Sequence, residues 1–313
     1  MTMTVATAML GDAPPPSGSV PAARPIPALP TTANDAALDA RLAAVRAEAA
    51  TIARLRRARM RAVALVVLPP VAGIALFIAI WALVSMSSPQ LPSPAKTWVS
   101  AVELFSNPFY RKGPNDQGIG WNVLASLQRV GIGFGLAALI GIPLGFVLGR
   151  SRFIGAMAAP IISLLRPVSP LAWLPIGLMV FKAANPAAIW VIFISSIWPM
   201  IINTAVGVQR VPQDYLNVAR VLNLSEWKVA TRILLPSALP YILTGVRLAI
   251  GVAWLVIVAA EMLTGGVGIG FWVWDEWNNL NVEHILIAIF VVGLVGLLLE
   301  QALLLVARRY NWS

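Results

Sequence analysis

Cysteine is absent from the 313-residue chain, and histidine occurs once, at His284. Without thiols there are no disulfides, iron–sulfur clusters or thiolate metal sites, and a lone histidine excludes a multi-histidine centre within one chain. Charge is scarce too: 12% of residues are Asp, Glu, Lys or Arg, well below the roughly 25% usual for soluble domains. Two catalytic signatures are missing. There is no Gly-x-x-x-x-Gly-Lys-Ser/Thr phosphate loop, so the chain is not an ATPase by itself, and no His-Glu-x-x-His, which argues against an intramembrane hydrolase.

What fills the space is apolar. Hydrophobic residues make up 58% of the chain and the mean hydropathy is +0.79, more than one soluble core can hide. Lipid is the expected solvent. The net charge of +10, from 23 basic and 13 acidic residues, fits either a polyanion partner or a membrane surface, and the placement of the charges decides between them.

Residues 1–33, rich in Pro, Ala and Thr, read as a disordered tail. Residues 34–61 read as a basic juxtamembrane helix ending in Arg54, Arg56, Arg57, Arg59 and Arg61. It is not a secretory signal, because the first apolar run begins only after residue 60. From Ala62 to Ala95 no residue is charged, longer than the roughly 20 residues that cross a bilayer. Spans are expected at about 62–86, 124–149, 158–181, 187–208, 240–263 and 285–307, making an all-α membrane domain over 62–307. Pro160, Pro167, Pro170 and Pro175 predict a broken third span, which membranes tolerate where protein or a wet cavity satisfies the freed backbone.

With the N-terminus cytoplasmic, 16 basic residues fall inside and Lys96, Arg111, Lys112 and Lys182 outside. The positive-inside bias therefore puts both termini in the cytoplasm and explains the net charge as topology, leaving no need for nucleic acid. Trp121, Trp272, Trp274 and Trp277 fall at the outer boundary and Trp312 at the inner one, as an aromatic belt would; the cluster Trp272 to Trp277 also suits a partner-facing cap. His284, next to a loop, reads as a surface histidine. Trp254 and Met262 read as core.

Gly133, Ala137, Gly141, Gly145 and Gly149 form a ridge of small residues that lets another helix approach closely. Between spans four and five lies a patterned loop, 209–239, expected to fold as helix, sharp turn, helix. Pro212 suits a first turn, and Tyr215, Ala219 and Leu222 share one face. Asn223 occupies a left-handed cap, and Ser225 with Glu226 starts a second helix that ends before Pro236. So compact a knob suits docking better than mere connection.

Asn217-Val218-Ala219, Asn223 and Ile233-Leu234-Leu235-Pro236 resemble the EAA loop of permease subunits of binding-protein-dependent ABC importers. Spacing matches throughout, with Asn217 in place of the glutamate, Val218 of an alanine and Asn223 of the glycine. The resemblance covers about 120–307. Leu124–Val130, Gly141–Gly145, Leu165–Trp173 and Ala259–Leu263 are similar to the nitrate/sulfonate/taurine branch, and Gly268–Asn278 is similar to its nitrate, cyanate and bicarbonate group. It implies six transmembrane helices of the ABC importer permease type. It also implies a second permease copy, two cytoplasmic ATPase subunits that carry ATP and Mg, and a periplasmic or lipid-anchored substrate-binding protein. No cofactor is implied in this chain. Tyr215, Ala219, Arg220, Leu222, Asn223 and Leu224 would couple it to the ATPase.

An anion importer needs that coupling, because moving one negative charge inward costs about 2.3 kcal/mol per 100 mV. Ionisable residues inside spans are costly and hence candidates for the path or gate: Arg129, Arg166, Arg247 and Glu261, with Glu300 as a packing group. Arg129 and Arg247 are near enough to a boundary to snorkel. Glu261 lies 14 residues beyond Arg247, roughly 21 Å along a helix, and suits a salt bridge to an arginine on another span. A stand-alone secondary transporter or channel is the rival class, but it would leave the long inner loop without a purpose.

Overall fold

The computed structural model describes residues 33–310. The tail expected at 1–33, except its last residue, and Trp312 lie outside them. The chain divides into two units, Met1–Ile74 and Ala75–Ser313.

The described part of the first unit is helical, within α1, Ala33–Ser87. No break separates the basic segment from the apolar one at residue 61. Neither glycine nor proline occurs between Ala33 and Leu68, and the run is dense in Ala, Arg and Leu, all strong helix formers.

The second unit adds α2, Pro94–Ser106, in the interval between the first two expected spans; its N-cap Ser93 accepts from the Lys96 N–H. Then come α3, Ile119–Arg150, α4, Arg152–Leu165, and α5, Leu174–Phe181. After these follow α6, Ala184–Gln209, α7, Gln213–Val221, and α8, Glu226–Val229. The unit ends with α9, Leu235–Thr264, α10, Ile269–Asn278, and α11, Val282–Tyr310. Among the described residues five helices are long and apolar enough to cross a membrane, and six if the bent pair α4 and α5 counts as one. That pair turns by 95° through a 3-10 turn at Pro170–Trp173. Pro167 and Pro170 lack the N–H groups that would continue the helix.

The core is a three-helix layer with α6 in the middle, packed between α3 and α9. The small-residue ridge of α3 faces α6 of the same chain. A Cβ on Gly145 would lie 2.5 Å from the Ile201 carbonyl oxygen and 2.7 Å from Thr204 Cβ, and one on Gly149 2.6 Å from the Ala205 carbonyl oxygen. Absent side chains let the backbones approach as membrane interfaces require. On the other flank, Gly245 of α9 meets the Pro199 carbonyl oxygen of α6 at 2.8 Å from an ideal Cβ.

Three expectations are corrected. The second loop helix does not stop at Pro236: α8 passes through a π-helical turn, Ala230–Leu234, straight into α9. A wider turn there relaxes the i to i−4 pattern where Pro236 has no N–H to give. Trp272, assigned to a lipid-facing belt or cap, is buried in the core with Trp254, while Trp274 and Trp277 are exposed. His284 is not a free surface histidine: it stacks on Trp272 with centroids 5.7 Å apart, and its Nδ1 lies 3.1 Å from Glu276 Oε1.

Candidate functional site

At one end of the bundle α7 and α8 form the knob. Asn223 has φ 47°, the left-handed conformation in which Asn is second only to Gly. Around it the Leu224 N–H donates to the Ala219 carbonyl oxygen and the Asn223 N–H to that of Arg220, both at 3.0 Å, the paired bonds of a Schellman cap. Ser225 then caps α8, accepting from the Lys228 N–H. Ala219, 3% exposed, anchors the knob among Leu216, Leu224, Val229 and Leu234. Arg220 donates to the side-chain oxygen of Asn217 at 3.1 Å, and Arg150 at the end of α3 ties to Glu226.

What the knob presents outward is apolar. Val221 is 85% and Trp227 77% exposed, and Tyr215, Val218 and Leu222 are exposed with them. The reading of Tyr215, Ala219 and Leu222 as one face is therefore corrected: Ala219 points inward as the anchor while Tyr215 and Leu222 point outward. Val221 and Trp227 were missed, although two large apolar residues in a polar, charged loop were a visible signal.

At the opposite end, a buried polar cluster fastens α3, α9 and α10. Glu261 of α9, 1% exposed, accepts from the Arg129 guanidinium at 2.5 Å, from Ser126 Oγ at 2.7 Å and from the Gly270 N–H at 3.0 Å. Ser126 Oγ accepts from the Ile269 N–H at 2.9 Å, and Asn122 Oδ1 accepts from the Gly268 N–H at 2.9 Å. Three consecutive donors opening α10, left over by any helix start, are thus met by side chains from two other helices. A carboxylate there also suits the positive end of the α10 dipole. The Gly268-Ile269-Gly270 stretch fits this close approach: an ideal Cβ on Gly270 would lie 2.0 Å from the Val258 carbonyl oxygen, and one on Gly268 2.4 Å from the Glu261 carboxyl carbon. Arg129 also donates to Asn185 Oδ1 at 2.8 Å. It is held by the bundle instead of snorkelling.

The other in-span charges separate. Arg247 of α9 pairs with Glu300 of α11, its Nε donating at 3.0 Å. Arg166 sits in the break between α4 and α5 and lines a cavity of about 340 Å³ with Ser169, Trp198, Asn203, Leu248 and Val252. Among the described residues, none of the salt bridges includes Arg166. No group of three or more His, Cys, Asp or Glu placed to hold a metal ion occurs among them either.

An all-α bundle of membrane-length helices, broken at its third crossing and carrying an apolar knob locked by a Schellman turn, defines a membrane permease of the ABC importer type. The chain belongs to the family of binding-protein-dependent transport system inner membrane components, whose sequence profile matches residues 141–312. It is 49% identical over 236 residues to the nitrate import permease protein of Synechocystis sp., covering 75% of this chain and 86% of that protein. To the bicarbonate transport system permease protein of the same organism it is 47% identical over 241 residues, 76% of this chain and 86% of that protein. To the taurine transport system permease protein of Escherichia coli it is 32% identical over 239 residues, 75% of this chain and 86% of that protein. Among solved structures, a methionine ABC transporter in an inward-facing conformation superposes with a TM-score of 0.55 at 14% identity, covering 61% of this chain and 94% of that one. That likeness supports the fold.

Proposed function

We propose that this chain is the transmembrane permease subunit of an ATP-driven importer of a small inorganic anion, nitrate or nitrite, in the bacterial inner membrane. It works as a pair with a second copy, bound to two cytoplasmic ATPase subunits and served by a periplasmic or lipid-anchored substrate-binding protein. The chain itself holds no cofactor, and ATP and Mg belong to the ATPase subunits. Both termini and the knob face the cytoplasm, on the side richer in Lys and Arg.

The observation that carries the reading is the knob: an exposed apolar surface on a helix locked by a Schellman turn. Tyr215, Leu222, Val221 and Trp227 enter a groove on the ATPase. Ala219, Asn223 and Leu224 hold the helix rigid, and Arg220 braces it through Asn217. Closure of the ATPase pair pushes on α7 and, through the continuous α8 and α9, rocks the bundle between inward- and outward-facing states. The Arg129–Glu261 and Arg247–Glu300 pairs keep helices in register during that motion, leaving Arg166 as the path residue.

Nitrate is supported by the 49% identity to nitrate permeases. Bicarbonate is the second reading, favoured by 47% identity to bicarbonate permeases. Two measurements test the proposal. Val221→Glu should leave the protein in the membrane but abolish co-purification of the ATPase subunits and uptake; normal uptake by this variant would refute the docking role. Uptake of labelled nitrate and bicarbonate in cells lacking other importers distinguishes the two cargoes.

A further inference from the structure

The charges inside the bundle do not balance, and the imbalance is localised. Three arginines lie within the expected spans: Arg129, Arg166 and Arg247. Two are neutralised by the two glutamates well inside the spans, Arg129 by Glu261 and Arg247 by Glu300. Glu283, in the first turn of α11, pairs with Lys96. The other acidic residues all lie in the N-terminal segment, the loops or the short helices α2, α7, α8 and α10. Arg166 is left over, and a second identical copy has no spare in-span carboxylate to lend it.

Its depth makes that costly. The cavity beside Arg166 is walled by Ser195 and Trp198, near the middle of α6, by Asn203 further along that helix, and by Leu248 and Val252, near the middle of α9. A guanidinium at mid-depth without a partner is expensive in hydrocarbon. Yet the fold keeps it at a proline-made break, beside a cavity of about 340 Å³, where water and a small ion have room.

We propose that Arg166 is the counter-charge for the travelling anion. The break between α4 and α5 is a half-way site for one small planar oxyanion, held by the guanidinium fork with help from the Ser169 hydroxyl and the side-chain amide of Asn203. A planar guanidinium meets two in-plane oxygens of such an ion with two parallel hydrogen bonds. One amide N–H of Asn203 is already given to the Pro199 carbonyl oxygen at 2.8 Å, which orients the amide and leaves its second N–H for the ion. The site is neutral only when loaded, so the permease itself discriminates by charge sign, downstream of whatever the binding protein selects. This inference rests on the importer reading above and adds to it the charge, shape and seat of the cargo within the membrane.

The natural absence of cysteine makes the test direct. Ser169→Cys places a unique thiol of this chain in the break. The permease–ATPase complex, reconstituted in lipid nanodiscs, is treated with an anionic and a cationic thiosulfonate of similar size. The anionic reagent should react about tenfold faster, millimolar nitrate should slow it, and adding Arg166→Gln should erase the preference. In cells, Arg166→Gln should lower labelled-nitrate uptake at least about tenfold while the ATPase subunits still co-purify, and Arg166→Lys should restore part of the uptake. Equal labelling by both reagents, no labelling at all, or a preference that survives Arg166→Gln would overturn the proposal. If the wild-type complex imports nitrate but the Ser169→Cys complex shows no labelling preference, the half-way site falls and the importer stands. If the Ser169→Cys complex shows the preference but the wild-type complex imports no anion, the importer reading falls instead.

Discussion

Removing the Glu261 carboxylate is the sharpest test of how the bundle is held together. In Glu261→Ala the buried guanidinium of Arg129, whose side chain is 11% exposed, loses its counter-ion. The Gly270 N–H at the start of α10 loses its acceptor. Breaking one side of a buried ion pair costs about 3–5 kcal/mol, because the surviving charge stays desolvated. Against a total stability of about 5–15 kcal/mol that is a large share. On the scale of soluble units about this long, 2–4 °C per kcal/mol, it corresponds to a fall of roughly 6–20 °C in the unfolding midpoint. The assay is thermal unfolding of the detergent-solubilised complex, followed by intrinsic fluorescence, with the exposed Glu103→Ala as reference. Arg129→Gln with Glu261→Gln should recover part of the loss, giving a coupling energy of about 1–3 kcal/mol in the double-mutant cycle. A midpoint no lower than that of Glu103→Ala, or single effects that simply add, would refute the structural role. Loss of uptake with stability unchanged would place the carboxylate in the transport path instead.

Glycines of α3 should divide by what faces them. Gly145→Ala, pressed against the Ile201 carbonyl oxygen, should destabilise the bundle by about 1–3 kcal/mol. Gly131→Ala and Gly135→Ala, with nothing within 4 Å of an added Cβ, should be neutral or stabilising by up to about 1 kcal/mol; the same unfolding assay reads both. At the knob, Asn223→Gly should keep uptake and attachment. Asn223→Val should cost about 1–2 kcal/mol of local stability in its left-handed seat, weakening ATPase co-purification without preventing membrane insertion.

Much of the architecture was legible in one dimension because lipid makes it so. A crossing helix must satisfy its own backbone and show apolar side chains, so runs such as 187–208 and 285–307 announce themselves within three residues of α6 and α11. Prolines with no N–H announce the break near Arg166, and the left-handed turn at Asn223 follows from local chemistry alone. By contrast α2, a short amphipathic helix with the polar start Ser93, lay in an interval between two spans to which no element was assigned. The run from α8 into α9 was misread because a π-helical turn absorbs Pro236.

The sequence by itself determined that the chain crosses a membrane several times, breaks its third crossing and ends a loop helix in a sharp turn. Each depends on the backbone chemistry of neighbouring residues. Only the tertiary structure decided which in-span charges belong together. Arg129 and Glu261 are 132 residues apart and Arg247 and Glu300 are 53 apart, on helices whose relative rotation and axial shift leave no trace in their own patterns; one residue of slip turns a side chain by about 100°. That pairing changes the meaning of the sequence's few charges. It converts a short list of arginines into two fasteners and one cation, Arg166, that is in no salt bridge among the described residues and lines the cavity at the break between α4 and α5.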